Sequence, residues 1–234
     1  VGSVSGIFER WREQIGCWWL SKDRGTIGEI VDGLGYSLHL VFHPFDGFWD
    51  LKHEKRGNVL SSTMLMGLVT LVYLGMRQYT GFIFNLRDLT KLNLFSEMAS
   101  VLIPFGLWCL VNWALTTLME GKGTIRDVFV ASAYAFTPII IINIPNTLLS
   151  NYITLEEGAF YYFFLVVSII WFIVLMFIGS MVTHQYQVGK TVFASILTIG
   201  GIGICLFLAL LLFNLFDQVV AFLSDLYVEV YLRL

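Results

Sequence analysis

Residues 158–183 read GAFYYFFLVVSIIWFIVLMFIGSMVT, a run without Asp, Glu, Lys, Arg or His. A helix crosses a hydrocarbon core of about 30 Å with about 20 apolar residues, so this run suffices for one crossing. Outward from it, further uncharged windows occupy 57–76, 98–119, 128–155 and 191–216. Together they predict five transmembrane helices, at approximately 59–82, 99–119, 128–149, 160–182 and 192–216. Strands of a membrane barrel would be about ten residues long and alternate polar with apolar, whereas these runs are apolar on every face. The expected fold class is all-α, a polytopic membrane protein.

With 57% hydrophobic and only 13% charged residues, and a mean hydropathy of +0.75, the chain lies outside the range of soluble globular domains. A net charge of −3 without a concentrated basic surface excludes nucleic acid as a partner. Cys17, Cys109 and Cys205 are far apart, and the last two lie in apolar runs, so no disulfide framework is expected. The first 26 residues carry Glu9, Glu13 and Asp23 and no apolar stretch before a small-residue cleavage site. No secretory signal is expected there, and the first span does the targeting.

Basic residues near the span ends set the expected orientation. Arg10, Arg12, Lys22, Arg24, Lys52, Lys55, Arg56, Lys122, Arg126 and Lys190 fall on one side, and Arg77, Arg87, Lys91 and Arg233 on the other. Ten against four predicts a cytoplasmic N-terminus and an external C-terminus. Residues 1–58 then form a cytoplasmic and interfacial segment, 59–216 the membrane domain, and 217–234 an external tail.

Outside the spans, Phe8, Trp11, Ile15, Trp18 and Trp19 make one helical stripe. Ile27, Ile30, Val31, Leu34, Leu38, Val41 and Phe42 make a second, interrupted by Gly33 and Gly35. Both fit amphipathic helices lying in the inner interface. Past the last span, Val219, Val220, Phe222, Leu223, Leu226, Tyr227 and Val230 oppose Gln218, Asp225 and Glu229, an amphipathic tail suited to a surface or a partner. The segment FHPFDGFWDLKHEKRGN, 42–58, is expected to anchor the first span. Pro44 interrupts the helix, Phe45, Phe48 and Trp49 bury rings at headgroup depth, and Lys52, Lys55 and Arg56 face anionic lipid.

Candidate chemistry is sparse. His39 and His43 are four apart, but Pro44 disfavours helix at His43 and no Glu completes a metal motif, so no metal or cofactor is expected. His184, in THQYQVGK, reads as a hydrogen-bonding loop residue between spans four and five. No ionisable residue enters the core of a span, where catalysis or ion coupling would need one, and no catalytic residue is expected. The polar candidates are Asn112, Thr116 and Thr117 in the second span, Asn143 and Asn146 beside Pro138 and Pro145 in the third, and Asn214 in the fifth. Such groups join helices, at about 0.6 to 2 kcal/mol each, or line a pore. TPIIIINIPN puts its two prolines on the same side of the third span, either as a static kink or as a substrate site. Ala131 and Ala135, and IGGIG at 199–203, offer close helix approach.

HPFDGFWDLK, RQYTGFIFN, EGKGTIRDVFVASAYAFTPIII, TLEEGAFY and VTHQYQVGK together resemble the bacterial branch of the Yip1 family, over about residues 40–234. The resemblance carries over no catalytic motif and no cofactor. It implies a non-enzymatic accessory or scaffold subunit of a bacterial membrane complex, similar to proteins that accompany carbohydrate ABC transporters of Gram-positive bacteria. The implied partners are the lipid bilayer and the permease and ATPase subunits, met through Pro138, Asn143, Pro145 and Asn146 of span three and through Phe222 and Leu226 of the tail. The alternative is an independent small-solute channel or transporter using Asn112, Asn143 and Asn146. A lipid-modifying membrane enzyme has the weakest support, since no paired carboxylates or buried base is present.

Overall fold

The computed structural model describes residues 26–54, 57–85 and 93–233; the stripe at Phe8–Trp19, Lys55 and Arg56 lie outside them. The described residues form helices and no strand: α1 (Thr26–Phe42), α2 (Pro44–His53), α3 (Val59–Tyr79), α4 (Leu94–Leu118), α5 (Ile125–Ala135), α6 (Thr137–Leu149), α7 (Gly158–His184) and α8 (Val188–Arg233). Five helical stretches are long and apolar enough to cross a membrane: α3, α4, α5 with α6, α7, and α8.

The bundle is more polar inside than a soluble core. Ser61, Ser62, Asn112, Thr116, Asn143, Asn146, Ser168, Thr183, His184, Thr191 and Thr198 are buried, while Ile169, Ile170, Trp171, Ile173, Leu211, Leu212 and Phe213 are exposed. In water this arrangement would be unstable. In lipid it is the expected one, because the surroundings are as apolar as leucine and helices associate through packing and polar contacts instead.

The third span lies at the centre, packed on α3, α4 and α7. It starts with a capping box, in which Thr124 Oγ1 accepts from Asp127 N at 3.3 Å and Asp127 Oδ2 accepts from Thr124 N at 3.0 Å. Pro138, lacking an N–H, interrupts it: α5 ends at Ala135, and the bonds Phe136 N to Ala133 O (3.2 Å) and Ile139 N to Phe136 O (3.0 Å) tighten the junction. Pro138 and Pro145 do lie on one side of α6, but that side is enclosed at Pro138 and exposed at Pro145.

Helices α1 and α2 fold back on each other and pack into the bundle. The buried residues of α1 include Gly33, Tyr36, Ser37 and Leu40; of the expected stripe, Val41 is buried and Leu34 packs on the core, whereas Val31, Leu38 and Phe42 are exposed. The inward face is thus apolar but offset from the expected stripe, and Gly33 lies on it. A Cβ on Gly33 would lie 2.6 Å from Ser61 Oγ and 3.0 Å from Tyr134 Oη, so only glycine lets α1 approach α3 and α5 this closely. Tyr36 Oη then donates to Gly47 O and Asp50 Oδ2, both at 3.1 Å, and locks α1 to α2. Phe48 corrects the expected anchor set: it is 1% exposed and sits against Gly179 of α7, where it fills a space no side chain occupies. Phe45 and Trp49 do face outward, and Pro44 starts α2.

Helix α8 has 46 residues, a length of about 69 Å at 1.5 Å per residue, more than twice a hydrocarbon core. No break falls at residue 217, because the segment after Gly203 contains neither glycine nor proline. From Ile204 to Glu229 every residue except Cys205 is exposed, Asn214, Phe222 and Leu226 among them.

Replacing Gly33 by Val should cost about 1–3 kcal/mol through overpacking, whereas Gly203→Ala, where no atom lies within 4 Å of the added methyl, should be close to neutral. Thermal melting of the two variants in mild detergent checks the contrast.

Candidate functional site

Two neighbouring helix ends build the site. At the end of α7, Gln185 takes a left-handed φ of 55°, Tyr186 N donates to Met181 O at 3.0 Å and Gln185 N to Val182 O at 3.3 Å. This is the glycine-type helix stop made with a glutamine. At the end of α4, Glu120 has φ 61° and Gly121 N donates to Thr116 O at 2.7 Å. The two stops are tied together, since Tyr186 Oη donates to Thr116 O (3.0 Å) and Met119 O (3.2 Å). Burial, and then the charge of Glu120, raise the Tyr186 pKa, which keeps this phenol a donor.

Inside this joint lies a buried polar node. Thr198 of α8 gives its hydroxyl proton to Ala194 O at 2.8 Å, so its oxygen can only accept from Asn112 Nδ2, at 3.4 Å. Asn112 Nδ2 also reaches Ser180 Oγ at 3.3 Å. The amide oxygen therefore faces His184 Nε2 at 2.9 Å, which makes Nε2 the donor and leaves Nδ1 an acceptor. Nδ1 is buried without a hydrogen-bond partner and is enclosed by Gly121 and Gly123, where an added Cβ would come within 2.9 and 2.8 Å of it. One amide thus joins α4, α7 and α8.

His184 is the last residue of α7, 2% exposed, and belongs to the packed joint rather than to a solvated loop. Sequence reasoning found Asn112 and Thr116 but missed Ser180 and Thr198. A signal was present in Thr191, Ala194, Thr198 and Gly201, one face of α8 whose first three members are buried; a Cβ on Gly201 would lie 2.7 Å from Val111.

Next to the node, Lys52 Nζ donates to Thr183 O at 2.5 Å. Burial lowers the Lys52 pKa, with Asp127 opposing and Lys122 reinforcing the shift. A cavity of about 70 Å³ lies here, lined by Phe48, Leu51, Lys52, Arg126, Asp127 and Thr183 among others.

Of the remaining polar candidates, Thr117 and Asn214 are exposed, and Asn143 and Asn146 lie farther along the bundle. Asn143 Oδ1 accepts from Ser168 Oγ at 3.3 Å, and Asn146 Nδ2 donates to Tyr161 O at 3.2 Å, both joining α6 to α7. Gly81 N donates to Ser150 Oγ at 2.9 Å and Asn151 Nδ2 to Tyr79 O at 2.9 Å, closing α3 on α6. Arg77 pairs with Glu97 in two bonds of 3.0 and 3.2 Å beside an open cavity of about 420 Å³ that Tyr73, Phe84 and Tyr161 help to line. His39 and His43 stack with ring centroids 4.8 Å apart, and among the described residues no three His, Cys, Asp or Glu gather as ligands.

The Yip1 domain pattern matches residues 38–210, which take in the node, both prolines of the third span and the first half of α8. The chain belongs to the Yip1 domain family. No curated protein and no solved structure matches it. The family is one of membrane proteins and is not a known enzyme family. The rest of α8, past Leu210, extends beyond the matched Yip1 region.

Removing the node tests its weight. Asn112→Leu leaves His184 Nε2 buried without its acceptor and should cost about 1–3 kcal/mol. Asn143→Leu should cost less than about 1 kcal/mol, because Ser168 keeps its bond to Leu165 O at 2.8 Å. Detergent melting or steric-trap unfolding of both variants reads the difference.

Proposed function

We propose that this Yip1-domain protein is a non-enzymatic accessory or scaffold subunit of a bacterial membrane complex, an ABC-type carbohydrate transporter, and that it meets the permease and ATPase subunits. The observation that carries this reading is α8. Among the described residues its apolar surface from Ile204 to Glu229 is exposed, and its length exceeds what a bilayer covers. The amphipathic residues Phe222 and Leu226, exposed on that extension, are suited to a protein partner outside the bilayer.

The orientation we propose has residues 1–58 on the cytoplasmic side of the cell membrane and 217–234 outside. In support, Lys52, Lys122, Arg126 and Lys190 belong to the end of the bundle formed by α2 and the α4–α5 and α7–α8 connections. Against an independent channel stands the engagement of Asn112, Asn143 and Asn146 in bonds between helices.

Affinity purification of the tagged chain from its own membranes in mild detergent tests the proposal. Permease and ATPase subunits should co-purify in stoichiometric amounts, and a chain ending at Phe216 should lose them. Recovery of the full-length chain alone, or full retention of the partners by the shortened one, would overturn it.

A further inference from the structure

The cavity beside Lys52 has an unbalanced charge. Lys52 has Thr183 O as its one hydrogen-bond partner among the described residues, and no carboxylate pairs with it at ion-pair distance. Arg126, exposed at the first turn of α5, has no hydrogen bond or ion pair among the described residues. The one acid on the cavity wall, Asp127, spends Oδ2 on Thr124 N and on Thr124 Oγ1, at 3.0 and 2.8 Å. Asp127 offsets part of the charge at Lys52, and Lys122 is close enough to add to it. Among the described residues two cations and one carboxylate line the pocket, a net positive charge, and the carboxylate's Oδ2 already serves a helix cap.

The walls explain why the charge persists. Phe48, Leu51, Val130 and Ala131 give the cavity an apolar floor, so a cation held there lacks part of its water shell and gains from a counter-ion. A volume of about 70 Å³, against the roughly 10–15 Å³ that one water needs, suits a compact tetrahedral anion rather than an extended chain. The site lies on the basic end of a membrane bundle, where basic pockets between helices take lipid headgroups.

We propose that this cavity binds the phosphodiester of an anionic phospholipid headgroup, with Lys52 and Arg126 as its cationic ligands. Lys52 supplies a point charge from the floor and Arg126 a planar fork from the rim. Asp127 Oδ1, left over from the helix cap, accepts a hydroxyl of the headgroup, which favours a glycerol head over a choline one. The lipid ties α2, α5 and the end of α7 together where Lys52 meets Thr183.

The test is native mass spectrometry of the full chain from mixed micelles holding equal amounts of phosphatidylglycerol and phosphatidylcholine. Adducts of phosphatidylglycerol should dominate, and Arg126→Gln and Lys52→Met should each weaken its binding about fivefold. Arg126→Gln should leave the melting temperature in lipid-free detergent unchanged, since that side chain touches no partner, so the test survives a folding defect in Lys52→Met. Equal binding of the two lipids, or an unchanged preference in both variants, would overturn the proposal. Displacement of the lipid by millimolar inorganic phosphate, or phosphate adducts without lipid, would assign the site to a free anion and overturn the lipid assignment.

Discussion

A polar group carried into an apolar bundle has to find its hydrogen-bond partner there, and Asn112 is where that constraint binds the most structure together. Its amide has a donor side and an acceptor side: Nδ2 reaches Ser180 on α7 and Thr198 on α8, and Oδ1 accepts from His184 on α7. Helix α8 packs chiefly on α4 and α7, so this node and the small-residue face around Thr198 fix the position of a helix that otherwise stands clear of the bundle. The paired helix stops at Glu120 and Gln185 follow from the same requirement. Glycines at 121 and 123 leave room for the imidazole, and Tyr186 closes the carbonyls that α4 would otherwise leave open.

The same solvent logic inverts the usual packing rule. Where lipid surrounds the bundle, burying leucine gains little, and close approach of backbones gains more. Gly33 on Ser61, Phe48 on Gly179 and Gly201 on Val111 are the contacts that set the helix positions. Large aliphatic side chains of α7 and α8 are left to the outside. The interior is held by hydroxyls and amides that a soluble protein would keep for its surface.

Two surfaces stand out among the described residues. One is the exposed apolar length of α8, the other the cationic cavity between α2 and α5. They lie in different parts of the molecule and call for different chemistry: a protein surface along the extended helix, and an anion in the cavity. The Yip1 region ends at Leu210, so the cavity belongs to the family's domain while most of the exposed length of α8 does not.

The sequence by itself determined the five crossings, with boundaries within about five residues except at the end of the fifth, and its polar candidates included the joints Asn112, Asn143 and Asn146 beside the exposed Thr117 and Asn214. Run length against bilayer thickness is a local property, and an amide in an uncharged run is conspicuous wherever it points. The tertiary structure alone decided which face of α1 turns inward, that Phe48 is core while Phe45 and Trp49 are not, and that His184 is sealed beneath the Gly121–Gly123 loop. It also decided that the fifth span and the tail are one helix. Those choices depend on which distant residue fills which gap. With lipid outside and apolar packing within, hydrophobic pattern along the chain no longer tells inside from outside.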